Sequence, residues 1–200
     1  MVSEPPRTIG AWIGHKAEAN GDRLALTVEG RDKTYAGAHR DSDRLAAGLA
    51  SLGLGPGDRA CLMMQNSLEC IDAWFAMAKA GVVEVPINQA YRGHLLEYLL
   101  GQSRSSAVVC DADYLDRIAE AARSLPGLEH VVVNRAEGAT DAGTPDFPGH
   151  VTVHGYLSQT RLQALPTPHG GMAAQVDALM VVEARDLHES GGRDSHPAIG

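Results

Sequence analysis

Apolar residues recur at helical spacing in Ile9, Trp12 and Ile13, directly behind Thr8, whose hydroxyl can cap the first turn. The pattern predicts a helix that stops near Asn20-Gly21. "RLALTVEG" then alternates as a strand does, with Leu24, Leu26 and Val28 expected on one face. "GRDKTY" reads as a turn and a short returning strand, so the pair suggests a hairpin. From Ala36 to Leu52 the helical period returns, with Leu45, Leu49 and Leu52 as one stripe. Gly53 stands where a helix is terminated, and Pro56 blocks continuation.

Beyond that stop, short apolar runs alternate with helical ones. "RACLMM", "VVEVPI", "SAVVCD" and "HVVVN" read as strands. "NSLECIDAWFAMAKAG", "GHLLEYLLGQS" and "ADYLDRIAEAARSL" read as helices, the first capped by Asn66 or Ser67 and stopped at Gly81. Apolar residues on nearly every side of that first helix imply burial between layers. Strand–helix alternation builds a mostly parallel sheet with helices on both faces, an α/β fold. Uninterrupted apolar strands suit a sheet covered on both sides.

After Asn134 the pattern fades. "RAEGATDAGTPDFPG" reads as a long polar loop, "HVTVHGYLSQTR" as a strand and a short helix, and "DALMVV" as one more strand. The expected organisation is an α/β subdomain over 1–135, a loop with further elements over 136–182, and a tail over 183–200. That tail, "ARDLHESGGRDSHPAIG" after Glu183, has no apolar period.

Composition narrows the function. An apolar share of 44% supports a core. A formal charge of -8, from Asp+Glu 25 against Lys+Arg 17, argues against nucleic acid as partner. The most apolar stretch, 70–85, is cut by Asp72, Lys79 and Glu84, so it does not read as a transmembrane segment, and no secretory signal is visible at the start. Cys61, Cys70 and Cys110 have no metal or disulfide spacing and read as small buried hydrophobes of a cytoplasmic protein.

Few residues invite chemistry. Gly53, Gly55 and Gly57 form G-x-G-x-G between a helix and a strand. A dinucleotide loop needs the opposite order, strand then helix, and a Walker loop needs a lysine, so these glycines read as a turn. Asp58 and Arg59 belong to that turn. His188, Glu189, Asp194 and His196 lack the spacing of metal ligands. His15, His39 and His94 read as solvated, Asp72 and Lys79 as the solvated flank of their helix, and Trp12, Trp74 and Phe75 as core. No G-x-S-x-G is present.

Taken in order, several short motifs acquire a joint meaning. Thr34-Tyr35 opens a helix, Arg44 to Ala46 reads Arg-Leu-Ala, and Leu52 to Asp58 reads LG-x-x-x-GD. Asn66-Ser67, Lys79 to Gly81 and Val85 to Asn88 ("VPIN") follow. This series resembles the N-terminal part of the adenylate-forming acyl-CoA synthetase (AMP-dependent synthetase/ligase) family over roughly residues 8–135. "AYRGHLLEYLL" is similar to its fatty-acid and carnitine-type CoA ligase branch.

The resemblance implies an enzyme that uses ATP and Mg2+ to convert a carboxylic acid, such as a fatty acid, to acyl-AMP, then passes the acyl group to CoA. It also implies a Ser/Thr/Gly-rich phosphate loop ending in lysine just after "DALMVV". "SGGR" at Ser190 to Arg193 is a faint echo without the lysine. A truncation or frame shift near Val182 is the expectation that accounts for both the lost pattern and the early end. This chain alone is then expected to be inactive, with no catalytic, cofactor-binding or metal residue of its own and no cofactor. Two alternatives are a non-catalytic module that pairs with a missing portion of the enzyme, and a flavodoxin-like nucleotide or flavin binder.

Overall fold

The computed structural model describes residues 6–134, 144–156 and 182–183. Helix α1 (Ile9–Asn20) starts where Thr8 Oγ1 accepts a hydrogen bond from Ala11 N at 3.1 Å. Strands β1 (Leu24–Val28) and β2 (Arg31–Thr34) pair antiparallel. Glu29 and Gly30, with φ of 51° and 76°, form the two-residue turn whose twist matches the strands. A register shift between Leu24 and Leu26 breaks the expected alternation. One extra residue turns Leu24 to the opposite side, where it is 56% exposed.

Helix α2 (Tyr35–Ser51) is capped by Thr34 Oγ1, which accepts from Gly37 N at 3.0 Å. At its other end Gly53 takes a φ of +84°. Gly53 N donates to Ala50 O at 3.0 Å and Leu54 N to Leu49 O at 3.2 Å, the paired bonds of a Schellman stop.

The chain then lays down β3 (Arg59–Met63), α3 (Leu68–Ala80), β4 (Val83–Pro86), α4 (Gly93–Ser103) and β5 (Ala107–Asp111). A 3-10 turn at Ala112–Tyr114 leads into α5 (Leu115–Ala122), followed by β6 (His130–Asn134), β7 (Thr152–Tyr156) and β8 (Val182–Glu183). The larger sheet has the order β4-β3-β5-β6-β7-β8. Its first five strands are parallel and β8 runs antiparallel to β7. The α/β architecture expected from the alternation is therefore present. The short helix expected after β7, residues 157–181 of the later elements and the tail beyond Glu183 lie outside the described residues.

Strand alternation splits the core in two. Ala60, Leu62, Val109 and Val132 pack against Leu45 and Leu49 of α2 and Ala73 and Met77 of α3. Cys61, Met63, Val108 and Val131 face Leu96 and Leu100 of α4 and Ile118 of α5. A right-handed crossover sends α3 to one face because β4 lies left of β3, and α4 and α5 to the other because β5 and β6 lie to its right. Helix α3 is not enclosed on all sides. Phe75 is buried against Ile13 and Ala38, but Trp74 is 41% exposed, and on α1 Trp12 is 39% exposed. Both tryptophans were expected in the core. The helix lies near the edge strand, and nothing among the described residues covers its outer side there.

Asp72 and Lys79 also depart from expectation, since neither is solvated. Lys33 Nζ sits between Asp41 Oδ2 at 2.9 Å and Asp72 Oδ2 at 2.5 Å, with side chains 11%, 14% and 4% exposed. Lys79 Nζ reaches Asp43 Oδ1 at 2.6 Å and His39 Nδ1 at 2.8 Å, so His39 is part of a network as well. His15 and His94 are exposed as expected. These bonds tie the hairpin and α2 to α3. A helical period shows which face is apolar, but not which charges another element brings over it.

Burial pushes the Asp72 carboxyl up from 3.8 to about 7, against the pull of Lys33. The two carboxylates in turn raise Lys33 in spite of its own burial. A carboxyl raised on folding stabilises the fold fully below its unfolded value, and that contribution is lost as pH climbs through the folded one. Asp72→Asn should therefore flatten the pH profile of stability between 3.8 and about 7, with wild type losing ground relative to the variant as pH rises. Urea unfolding of both proteins across that window measures the difference.

Candidate ligand site at the strand ends

Open parallel sheets hold ligands beyond the C-terminal ends of their strands, where the strand order reverses. Here the reversal falls between β3 and β5, because the chain leaves β3 for β4 on one side and crosses back to β5 on the other. Asp111, the last residue of β5, fills the crevice. Its Oδ2 accepts from Gln65 N at 2.6 Å and its Oδ1 from Asn134 Nδ2 at 2.7 Å. Burial raises the Asp111 carboxyl while these two donors pull it down. A carboxylate with both oxygens engaged repels a phosphate and offers it no donor.

The nearby N-terminus of α3 is likewise taken. Ser67 Oγ accepts from Cys70 N at 3.0 Å. Glu69, in the first turn, pairs with Arg31 through two bonds of 2.8 and 2.7 Å. Its carboxylate already answers the positive end of the helix dipole.

Beside the crevice, at the edge strand β4, lies an open cleft of about 800 Å3. Leu62 and Pro86 line it from the strands, Met64 and Ile87 from the residues just after them, and Cys70, Ile71 and Trp74 from α3. Asn66, Asn88, Gln89 and Tyr91 add polar groups, and Glu84 adds a lone carboxyl that burial pushes up. Several of these hold the loops in place. Gln89 Nε2 donates to Met64 O at 2.6 Å, Arg117 Nη1 donates to Gln89 O at 2.6 Å, and Asn88 Oδ1 accepts from Ala90 N at 2.8 Å. Cys70 is half-buried rather than fully buried as expected, and burial pushes its thiol up to about 11. At neutral pH it is a neutral thiol, unsuited to nucleophilic attack. The cleft can hold an apolar body and orient a polar end, but it presents no paired acid and base.

The glycines singled out in sequence lie at the opposite end of the sheet, ahead of β3. Gly57 N donates to Gly81 O at 3.1 Å, and Asp58 Oδ2 accepts from Gly55 N at 2.8 Å. They turn the chain. Cys61 and Cys110 are buried, and Cys61 donates its thiol proton to Ser105 Oγ at 3.2 Å. Among the described residues no group of three or more His, Cys, Asp or Glu could hold a metal ion. His188, Glu189, Asp194 and His196 lie outside them.

Asp111, Asn134 and Gln89 were not singled out from sequence. A signal existed for two of them: "AVVCD" and "HVVVN" are apolar runs that each end on a polar residue. In a parallel sheet such ends meet at one edge, as the pairing of Asp111 with Asn134 confirms.

The chain matches the family model described as AMP-binding enzyme over residues 13–169. It is 29% identical over 141 residues to 3-oxocholest-4-en-26-oate–CoA ligase of Rhodococcus rhodochrous, covering 70% of this chain and 25% of that one. It is 32% identical over 117 residues to medium/long-chain-fatty-acid–CoA ligase FadD6 of Mycobacterium tuberculosis, covering 58% of this chain and 20% of that one. The solved apo structure of Mycobacterium smegmatis MbtA superposes with a TM-score of 0.62 at 28% identity, over 86% of this chain and 30% of that one. The chain thus spans 20–25% of the length of these two curated relatives. These likenesses favour neither a non-catalytic module that pairs with the rest of the enzyme nor a flavodoxin-like binder.

Proposed function

We propose, from the premise that this chain belongs to the AMP-binding enzyme family, that it forms the N-terminal α/β scaffold of an acid–thiol ligase of the fatty-acid or carnitine type. The reaction implied is attack of a carboxylate on the α-phosphorus of ATP, with Mg2+ as counterion, releasing pyrophosphate. The thiol of CoA then takes the acyl group and AMP departs. A carboxylate alone is a poor electrophile, and adenylation supplies its leaving group.

The residues described here do not fit a triphosphate, and no step is assigned to them. The observation that carries this reading is the crevice between β3 and β5, closed by the Asp111 carboxylate on Gln65 and Asn134. In this proposal the catalytic and phosphate-binding groups belong to other parts of the enzyme. The present segment contributes a rigid sheet and the apolar wall of the β4 cleft. We place the protein in the cytoplasm, in keeping with its three free thiols. Among the described residues no helix is long and apolar enough to cross a membrane.

Pyrophosphate release by the purified 200-residue chain, with ATP, Mg2+, CoA and a panel of medium- and long-chain acids, is expected to stay at the level of a protein-free blank. Acid-dependent turnover well above the blank would overturn the proposal.

A further inference from the structure

At the end of the sheet remote from the crevice, α4 and α5 diverge over a second pocket of about 330 Å3. Its inner wall is apolar: Leu100, Val108 and Leu128 are 4%, 0% and 3% exposed, and Leu125 closes one side. Arg104 and Ser124 stand at its exposed rim. We propose that this pocket binds a small organic carboxylate with an apolar body, independently of the reading given above.

Three observations converge. The first is the state of the rim's acceptors. Leu100 O accepts from Ser103 Oγ at 2.7 Å, Gly101 O from Arg104 N at 3.1 Å, and Ala121 O and Ala122 O from Ser124 N and Leu125 N, each at 3.1 Å. Leu125 O accepts from Leu128 N at 3.1 Å. Ser105 is also engaged, since it receives the Cys61 thiol proton at 3.2 Å and lies 2.9 Å from Ser103 Oγ. The one charged side chain of the lining, the Arg104 guanidinium, can only donate, so it favours an accepting group at the ligand's polar end.

The second observation is Arg104 itself. It caps α4 with φ 53° and ψ 37°, a left-handed conformation usually left to glycine. Its guanidinium pairs with no carboxylate among the described residues. A bidentate grip on a carboxylate is the interaction that a guanidinium makes best.

The third is size. A cavity of about 150 Å3 lined by aliphatic side chains admits benzene. A pocket of about 330 Å3 has roughly twice that volume, ample for an apolar group of about six to eight carbons together with its polar head. It is too small for a helix or strand of a partner. Gly101 sets the limit on one side, because a Cβ there would come within 3.2 Å of Leu125 Cδ2.

Octanoate is the probe, titrated calorimetrically into the full chain, with octanamide as the uncharged control. Saturable binding of octanoate is expected, weaker by about tenfold or more for octanamide, the loss typical of one charge-assisted contact. Arg104→Gly should weaken octanoate to the same degree while leaving the thermal midpoint equal or higher, because glycine relieves the left-handed cap. Amide shifts on titration should cluster at residues 100–105 and 124–128. Equal binding of octanamide, unchanged affinity in Arg104→Gly, absence of saturable binding, or shifts clustered at 64–91 beside the β4 cleft would each overturn the proposal. None of these outcomes bears on pyrophosphate release, so the two readings fail separately.

Discussion

Lys33→Ala is expected to cost about 3–5 kcal/mol of stability, the range for breaking one side of a buried ion pair. The lysine is the shared partner of Asp41 and Asp72, whose side chains are 14% and 4% exposed. Neither Oδ1 accepts a hydrogen bond, and only Arg40 Nε, 3.5 Å from that of Asp41, stands near as a counter-charge. Removing the ammonium leaves two neighbouring carboxylates facing one another in a poorly solvated seam. Urea unfolding at two pH values distinguishes this cause from lost packing of the lysine stem. The deficit should be largest near pH 8 and shrink near pH 4, where protonation of Asp72 removes the repulsion. A deficit equal at both values would assign the loss to packing alone.

Leu49→Ala is expected to cost about 2–5 kcal/mol, the range for a fully buried leucine whose surroundings relax only in part. Leu49 is 0% exposed and belongs to the cluster that joins α2 and α3 to the strands through Ala60, Leu62 and Val132. The neighbours Ala73 and Ala76 of α3 are small and have no long side chain to swing into the cavity. The Leu49 carbonyl also receives the final hydrogen bond of the helix stop, from Leu54 N, so any backbone shift that collapses the cavity strains that bond. Equilibrium unfolding measures the loss. A change below about 1 kcal/mol would mean that the α2–sheet interface is far more plastic than close packing allows.

Much of the architecture was legible before any coordinates. The helix cap at Thr8, the stop at Gly53 and the exit at Gly81 each follow from one or two local residues. Apolar runs such as "AVVCD" need both faces covered, and their alternation with helical segments admits few topologies other than a parallel sheet. The expected hairpin formed, but its register was misread at Leu24, because a single inserted residue reverses the face of everything before it and leaves no trace in the apolar pattern.

The candidate site was far less legible. Asp111 looks like the polar end of a strand, and only the parallel pairing with β6 brings Asn134 beside it while the path of β3 brings Gln65 across. Asp72 has the same quality. It sits at a position that a helix alone would leave solvated, and the hairpin carries Lys33 over it from 39 residues away.

The order of apolar and polar residues by itself determined the elements, their caps, the α/β class and the series of motifs shared with the AMP-binding enzymes, because each depends on neighbours within a few residues of the chain. Tertiary structure alone decided which charges are buried, which tryptophans reach solvent, and that the crevice at the strand reversal is closed by a carboxylate. Those outcomes depend on groups distant in sequence being brought within about 3 Å, the range of a hydrogen bond, and local periodicity does not encode such meetings.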